Sequence, residues 1–171
     1  MKKRIVLIGF AGCGKTVVGR TAAVILDWDF ADTDALIEEV TGQPPAKLLK
    51  KFGEVRFRSE EKLIMNKLAS RENLVIATGG NLDLKNNNLQ LLKNDESFFV
   101  LLEADAETLI ERLSRKNNRP NWTGKINSKD LSAQLEERSE QYKQMADFKL
   151  NTSGLTIDEA AEIICREVKK E

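Results

Sequence analysis

The segment Gly9-Phe10-Ala11-Gly12-Cys13-Gly14-Lys15-Thr16 fits the pattern G-x-x-x-x-G-K-[ST]. It follows the apolar run Ile5–Ile8 and precedes a stretch with helical periodicity, which is the strand–loop–helix setting the pattern requires. Glycines let such a loop curl until consecutive N–H groups converge on an anion, helped by the positive end of the following helix. Gly12, Cys13, Gly14, Lys15, Thr16 and Val17 are therefore candidates for cradling a nucleotide's phosphates. Lys15, read as a solvent-facing loop residue, supplies a point charge to the outer phosphates, and the Thr16 hydroxyl suits a magnesium ion. The bland alternative is a glycine-rich turn with an incidental lysine.

Composition removes several other chemistries. The chain has no histidine, which excludes Ser-His-Asp and Cys-His catalysis, His-ligated zinc and a histidine base. Its 27 Lys and Arg balance 27 Asp and Glu, so nothing suggests a nucleic-acid or membrane-surface partner. No run of about 20 apolar residues suggests a membrane span. Cys13 and Cys165 are far apart and form no C-x-x-C pair, so a reducing cytoplasm is the simplest expectation. Met1–Arg4 followed by Ile5–Ile8 resembles the start of a signal peptide, but the apolar stretch is short and Gly9 and Lys15 satisfy the more demanding pattern.

Length (171 residues) favours one domain spanning 1–171. Short apolar runs at 5–8, 28–31, 74–77, 98–102 and 148–150 read as strands. Helices are expected at 16–26 (apolar at Val17, Val18, Ala22, Val24 and Ile25), 34–40, 46–52 and 54–69 (apolar at Val55, Leu63, Ile64 and Leu68). Further helices fit 106–113, 131–145 and, opened by the capping box Thr156-x-x-Glu159, the stretch to Val168. Residues 115–129 are polar and aperiodic and contain Pro120 and Gly124, as a mobile loop would. Alternating strands and helices predict an α/β domain with a mostly parallel sheet covered on both faces.

Asp32 and Asp34 follow the second strand run, and in a doubly wound sheet that end opens on the same crevice as the glycine loop. Residues two apart in an extended segment point the same way, so both carboxylates are expected to face the phosphates. One would serve a metal's water shell and the other accept a proton from an attacking hydroxyl; helix capping by one of them is the structural alternative. There is neither an N-K-x-D guanine motif nor a D-x-x-G switch, which argues for a small-molecule kinase over a GTPase.

Along nearly its whole length the chain resembles the shikimate kinases. The likeness rests on the glycine loop, Asp32-Thr33-Asp34, Phe52-Gly53-Glu54-x-x-Phe57-Arg58-x-x-Glu61 and Gly79-Gly80. It continues in Arg119-Pro120, Arg138-x-x-x-Tyr142 and Ala146-Asp147. The resemblance implies a P-loop NTPase fold, three-layer α/β/α with a five-stranded parallel sheet and a mobile lid at about 115–129. It implies transfer of the γ-phosphate of ATP to a ring hydroxyl of shikimate, with magnesium, by a protein expected to be a monomer. Carried over by position, Asp32 holds magnesium through water, while Asp34 binds substrate hydroxyls and acts as base. Arg58 and Arg138 grip the substrate carboxylate, the Gly80 N–H binds a hydroxyl, Arg119 comes from the lid to the phosphate, and Arg112 lies against adenine. The chain departs from the family pattern at Asn81, at Asn121-Trp122 and at Ser139-Glu140-Gln141. These positions touch the substrate floor, the lid and the surroundings of Arg138. Two other functions fit the residues: a related kinase for another hydroxylated acid such as gluconate, and a non-catalytic ATP-binding module.

Overall fold

Strands form where apolar residues run without interruption, because a parallel sheet covered by helices buries both of its faces. The computed structural model, which describes residues 1–80, 87–115 and 128–171, contains β1 (Arg4–Ile8), β2 (Asp29–Asp32), β3 (Leu74–Ala77), β4 (Ser97–Glu103) and β5 (Phe148–Asn151). They make one five-stranded sheet in the order β2-β3-β1-β4-β5. Every pairing is parallel, with Val6 of β1 opposite Ile76 of β3 and Phe99 of β4. The segment resembling a signal peptide is thus the central strand, and Arg4 is only 2% exposed. Its guanidinium donates to Ser97 Oγ, the Arg71 carbonyl, Asn94 Oδ1 and Glu96 Oε2, tying down the sheet end opposite the glycine loop.

Alternate residues of each strand feed two separate cores. On one face Ile5, Leu7, Val100 and Leu102 pack with Val18 and Ala22 of α1 (Lys15–Leu26) and Ala161 and Ile164 of α6 (Ile157–Val168). On the other, Val6, Ile8, Ile76 and Phe99 meet Ile37 of α2 (Thr33–Thr41), Phe57, Ile64 and Leu68 of α3 (Pro45–Ala69) and Tyr142 of α5 (Ser128–Met145). α4 (Ala106–Ser114) adds Leu109 to the first core. Each large side chain buried in this way contributes about 1.5–3 kcal/mol, so the strand ends that carry the site are rigidly held. The expected three-layer P-loop architecture is what forms.

Several expectations about helix faces need correction. In α1, Val18 and Ala22 are buried, but Val17, Val24 and Ile25 are exposed. The buried stripe is Lys15, Val18, Gly19, Ala22 and Ala23, because Gly19 brings the helix against the sheet; a Cβ there would lie 2.9 Å from both Leu7 Cδ1 and Phe30 Cε2. In α3, Val55 and Leu63 are exposed, while Phe57, Ile64, Met65 and Leu68 turn inward. The two helices expected at 46–52 and 54–69 do both form within α3, separated where Gly53 adopts the non-helical φ 83 and ψ 174. A 3₁₀ turn at Leu89–Leu92, absent from the sequence reading, buries Leu89 and Leu92. α5 starts at Ser128, earlier than expected; of the anticipated lid, residues 116–127, with Arg119 and Trp122, lie outside the described residues, as does Asn81. Among the described residues no helix is long and apolar enough to cross a membrane.

Candidate active site

The C-terminal ends of β1, β2 and β3 converge on a cavity of about 790 Å³, the crevice where open α/β sheets bind ligands. The glycine loop lies between β1 and α1, with Gly9, Gly12 and Gly14 at φ 140, 88 and 99, conformations closed to most side-chain-bearing residues. Residues 11–18 all line the cavity, Val17 and Thr16 among them.

Lys15 is not the solvent-facing residue expected from sequence. It is 7% exposed, and its ammonium donates to the carbonyls of Gly9 (2.6 Å) and Phe10 (3.0 Å). The loop's own carbonyls thus hold the charge beside the cavity. Cys13 is fully buried; its thiol donates to the Phe10 carbonyl and its own carbonyl accepts from Thr152 Oγ1.

The aspartate pair lines the cavity, although by a different local geometry from the one expected. Asp32 ends β2 and caps α2: its Oδ1 accepts from the N–H groups of Asp34 (3.0 Å) and Ala35 (3.2 Å). Its other oxygen accepts from Thr16 Oγ1 at 2.7 Å, so the same carboxylate caps α2 and engages the glycine loop's threonine. Asp34 is in the first helical turn, not an extended segment, because the cap at Asp32 turns the chain at once. Its carboxyl rests over Gly79, where an added Cβ would lie 2.0 Å from Asp34 Oδ1; only a glycine leaves that room. The Gly79 N–H donates to Thr33 Oγ1 (2.9 Å), fastening the start of α2 to the end of β3.

The residues expected on the acceptor side follow β3 or belong to α3 and α5. Gly80 lines the cavity, and its carbonyl accepts from Arg138 Nη1 at 3.5 Å. The Arg138 guanidinium lies 5.2 Å from the Phe10 ring centroid, beside a neighbouring cavity of about 530 Å³. α5, which carries Arg138, is anchored just beyond its end, where Asp147 accepts from the Phe99 N–H and pairs with Lys93. Of the departures from the family pattern, Ser139 donates to Glu103 and Glu140 pairs with Lys143, so neither competes for the Arg138 guanidinium. Tyr142 lies beneath; burial pushes its phenol up to about 12, and among the described residues its hydroxyl has no hydrogen-bond partner. Arg58 is outside the lining of both cavities, packed over the Phe57 ring and paired with Glu61 and Glu54.

Arg112 lines the same cavity as the glycine loop and donates to Thr152 Oγ1 (3.0 Å), the Thr152 carbonyl (3.1 Å) and the Gly12 carbonyl (3.4 Å). Thr152, missed in the sequence reading, therefore braces the glycine loop from behind. The available signal was its place one residue past β5, at the same end of the sheet as the loop. The start of α3, at Pro45 to Lys47, was also missed; it closes another side of the cavity.

A family model described as "Shikimate kinase" matches residues 11–169. A shikimate kinase of Pelotomaculum thermopropionicum is 44% identical over 98% of this chain and 96% of its own length. One of Thermodesulfovibrio yellowstonii is 39% identical over the same shares. Among solved structures, the shikimate kinase from Acinetobacter baumannii in complex with shikimate superposes with a TM-score of 0.87 at 32% identity, covering 99% of this chain and 94% of that one. Glycine loop and aspartate pair thus occur in a chain that matches these enzymes from end to end, and it belongs to the shikimate kinase family.

Proposed function

We propose that this chain transfers the γ-phosphate of ATP to a ring hydroxyl of shikimate, with the work divided among the residues as follows. The observation that carries the reading is the joint placement of the glycine loop, the Thr16–Asp32 pair and Asp34 around one cavity. The loop N–H groups hold the phosphates, and Lys15 exchanges its carbonyl partners for the more strongly attracting phosphate oxygens. Arg112, its guanidinium fixed by Thr152, offers a planar face to the adenine ring.

Thr16 Oγ1 and Asp32 Oδ2, 2.7 Å apart, are hard oxygen donors beside the phosphate site and fit a magnesium ion that keeps most of its waters. When bound, that ion neutralises charge on the phosphate oxygens. Asp34 orients the acceptor hydroxyl and takes its proton as the oxygen bonds to the γ-phosphorus and the bond to the β-phosphate oxygen breaks, releasing ADP. Arg58 and Arg138 present planar guanidinium groups that match the substrate carboxylate, and the Gly80 N–H serves a ring hydroxyl. Arg119, carried over from the family pattern, stabilises the transferring group.

Arg58→Lys tests the acceptor side. Lysine keeps the charge and loses the paired donors, so KM for shikimate is expected to rise about 10- to 150-fold, the equivalent of one charge-assisted contact. ATP affinity measured without acceptor should stay the same. An unchanged KM in steady-state kinetics would return Arg58 to a structural ion pair with Glu61.

A further inference from the structure

Arg138 stands between the two cavities: it lines the smaller one, and its Nη1 donates to the carbonyl of Gly80, which lines the larger. The glycine loop meets it there. Phe10 lines the smaller cavity beside Arg138, and the next residue, Ala11, lines the larger beside Gly80. A Cβ on Gly80 would lie 3.1 Å from that of Ala11, so loop and strand end are in close contact at this wall.

A ring face, not a carboxylate, holds the guanidinium. Glu103, Glu136 and Glu140 line the same cavity, yet among the described residues no carboxylate pairs with Arg138; Glu103 accepts from Ser139 and Glu140 pairs with Lys143. The Gly80 contact, at 3.5 Å, is at the outer limit of a hydrogen bond. The guanidinium carbon lies over the Phe10 ring, 5.2 Å from its centroid, within range of cation–π attraction. A guanidinium held by its face keeps the N–H groups of its plane for a carboxylate, whereas an ion pair would occupy them. Phe10 is buried and fixed from behind, since its carbonyl accepts from Lys15 Nζ at 3.0 Å and from the Cys13 thiol at 2.8 Å.

We infer that Phe10 is a positioning residue for acceptor recognition: its ring carries the Arg138 guanidinium at the wall between the cavities and leaves the guanidinium's edge to the acceptor's carboxylate. The inference rests on the acceptor role proposed for Arg138.

The test is steady-state kinetics on Phe10→Leu, which stays apolar and loses the ring face, and on Phe10→Tyr, which keeps the face. Phe10→Met and Phe10→Trp replace whichever of these thermal melting shows to be unfolded. Phe10→Leu is expected to raise the KM for shikimate about 3- to 10-fold, as for loss of a partly desolvated cation–π contact. Its KM for ATP should stay within about twofold, because the carbonyl that holds Lys15 belongs to the backbone. Phe10→Tyr should return the KM for shikimate to within about twofold of the parent. In an Arg138→Ala background Phe10→Leu should add less than about twofold, because both act through one guanidinium. Shikimate affinity by calorimetry replaces KM where turnover is too slow to follow. An unchanged KM for shikimate in Phe10→Leu, an equal rise in Phe10→Tyr, KM values for shikimate and ATP that rise together, or effects that multiply in the double variant would each overturn the inference. If Arg138→Ala alone leaves shikimate binding unchanged, the acceptor role of Arg138 fails; if it weakens binding and Phe10→Leu does not, only the role of Phe10 fails.

Discussion

Replacing Lys15 by alanine is expected to lower turnover by at least about 10²–10³-fold, the usual cost of removing one preorganised charge stabiliser. The effect reaches stability as well. The Lys15 ammonium is buried and hydrogen-bonded to the carbonyls of Gly9 and Phe10, so its loss leaves both without that donor. A decrease of about 1–3 kcal/mol in unfolding free energy should accompany the loss of activity. Turnover measured by coupled ADP release, with a denaturant melt of the same variant, checks both parts. Near-normal turnover would mean that the glycine loop is not where the phosphates bind.

Asp34→Asn is the second large effect. The amide preserves size over Gly79 and removes charge and basicity, so turnover should fall about 10²–10⁴-fold, the range for a positioned general base. ATP affinity by calorimetry should hardly change, because the capping and Thr16 contacts belong to Asp32. Should ATP affinity fall while acceptor turnover survives, the roles of Asp32 and Asp34 would have to be exchanged.

The parts of this architecture that were readable in the sequence are those where one local rule dominates. The Ile5–Ile8 run could only be a doubly buried strand once the glycine loop followed it, and both are where expected. Asp32 and Asp34 were recognisable as a pair, yet their geometry was misjudged. The alternation argument holds only while the chain is extended, and the Asp32 cap starts α2 at Thr33. Burial of Lys15 was illegible for a related reason: its partners are loop carbonyls, which any sequence supplies equally.

Helix faces show a second limit. Val24, Val55 and Leu63 are as apolar as their buried neighbours, and tertiary packing alone decides which turn toward the sheet. Gly19 in α1 and the Gly53 bend in α3 set those orientations through close approach and a local change of direction. Thr152 carries no motif, and it matters because the fold brings it to the distant glycine loop.

The most direct test of the central claim is ADP release by the purified chain with ATP and magnesium, measured with shikimate, with gluconate and with no acceptor. Shikimate-dependent release, accompanied by one new phosphate-ester signal in the ³¹P spectrum of the product, is the expected result. Turnover with gluconate but not shikimate, or release that no acceptor stimulates, would contradict it.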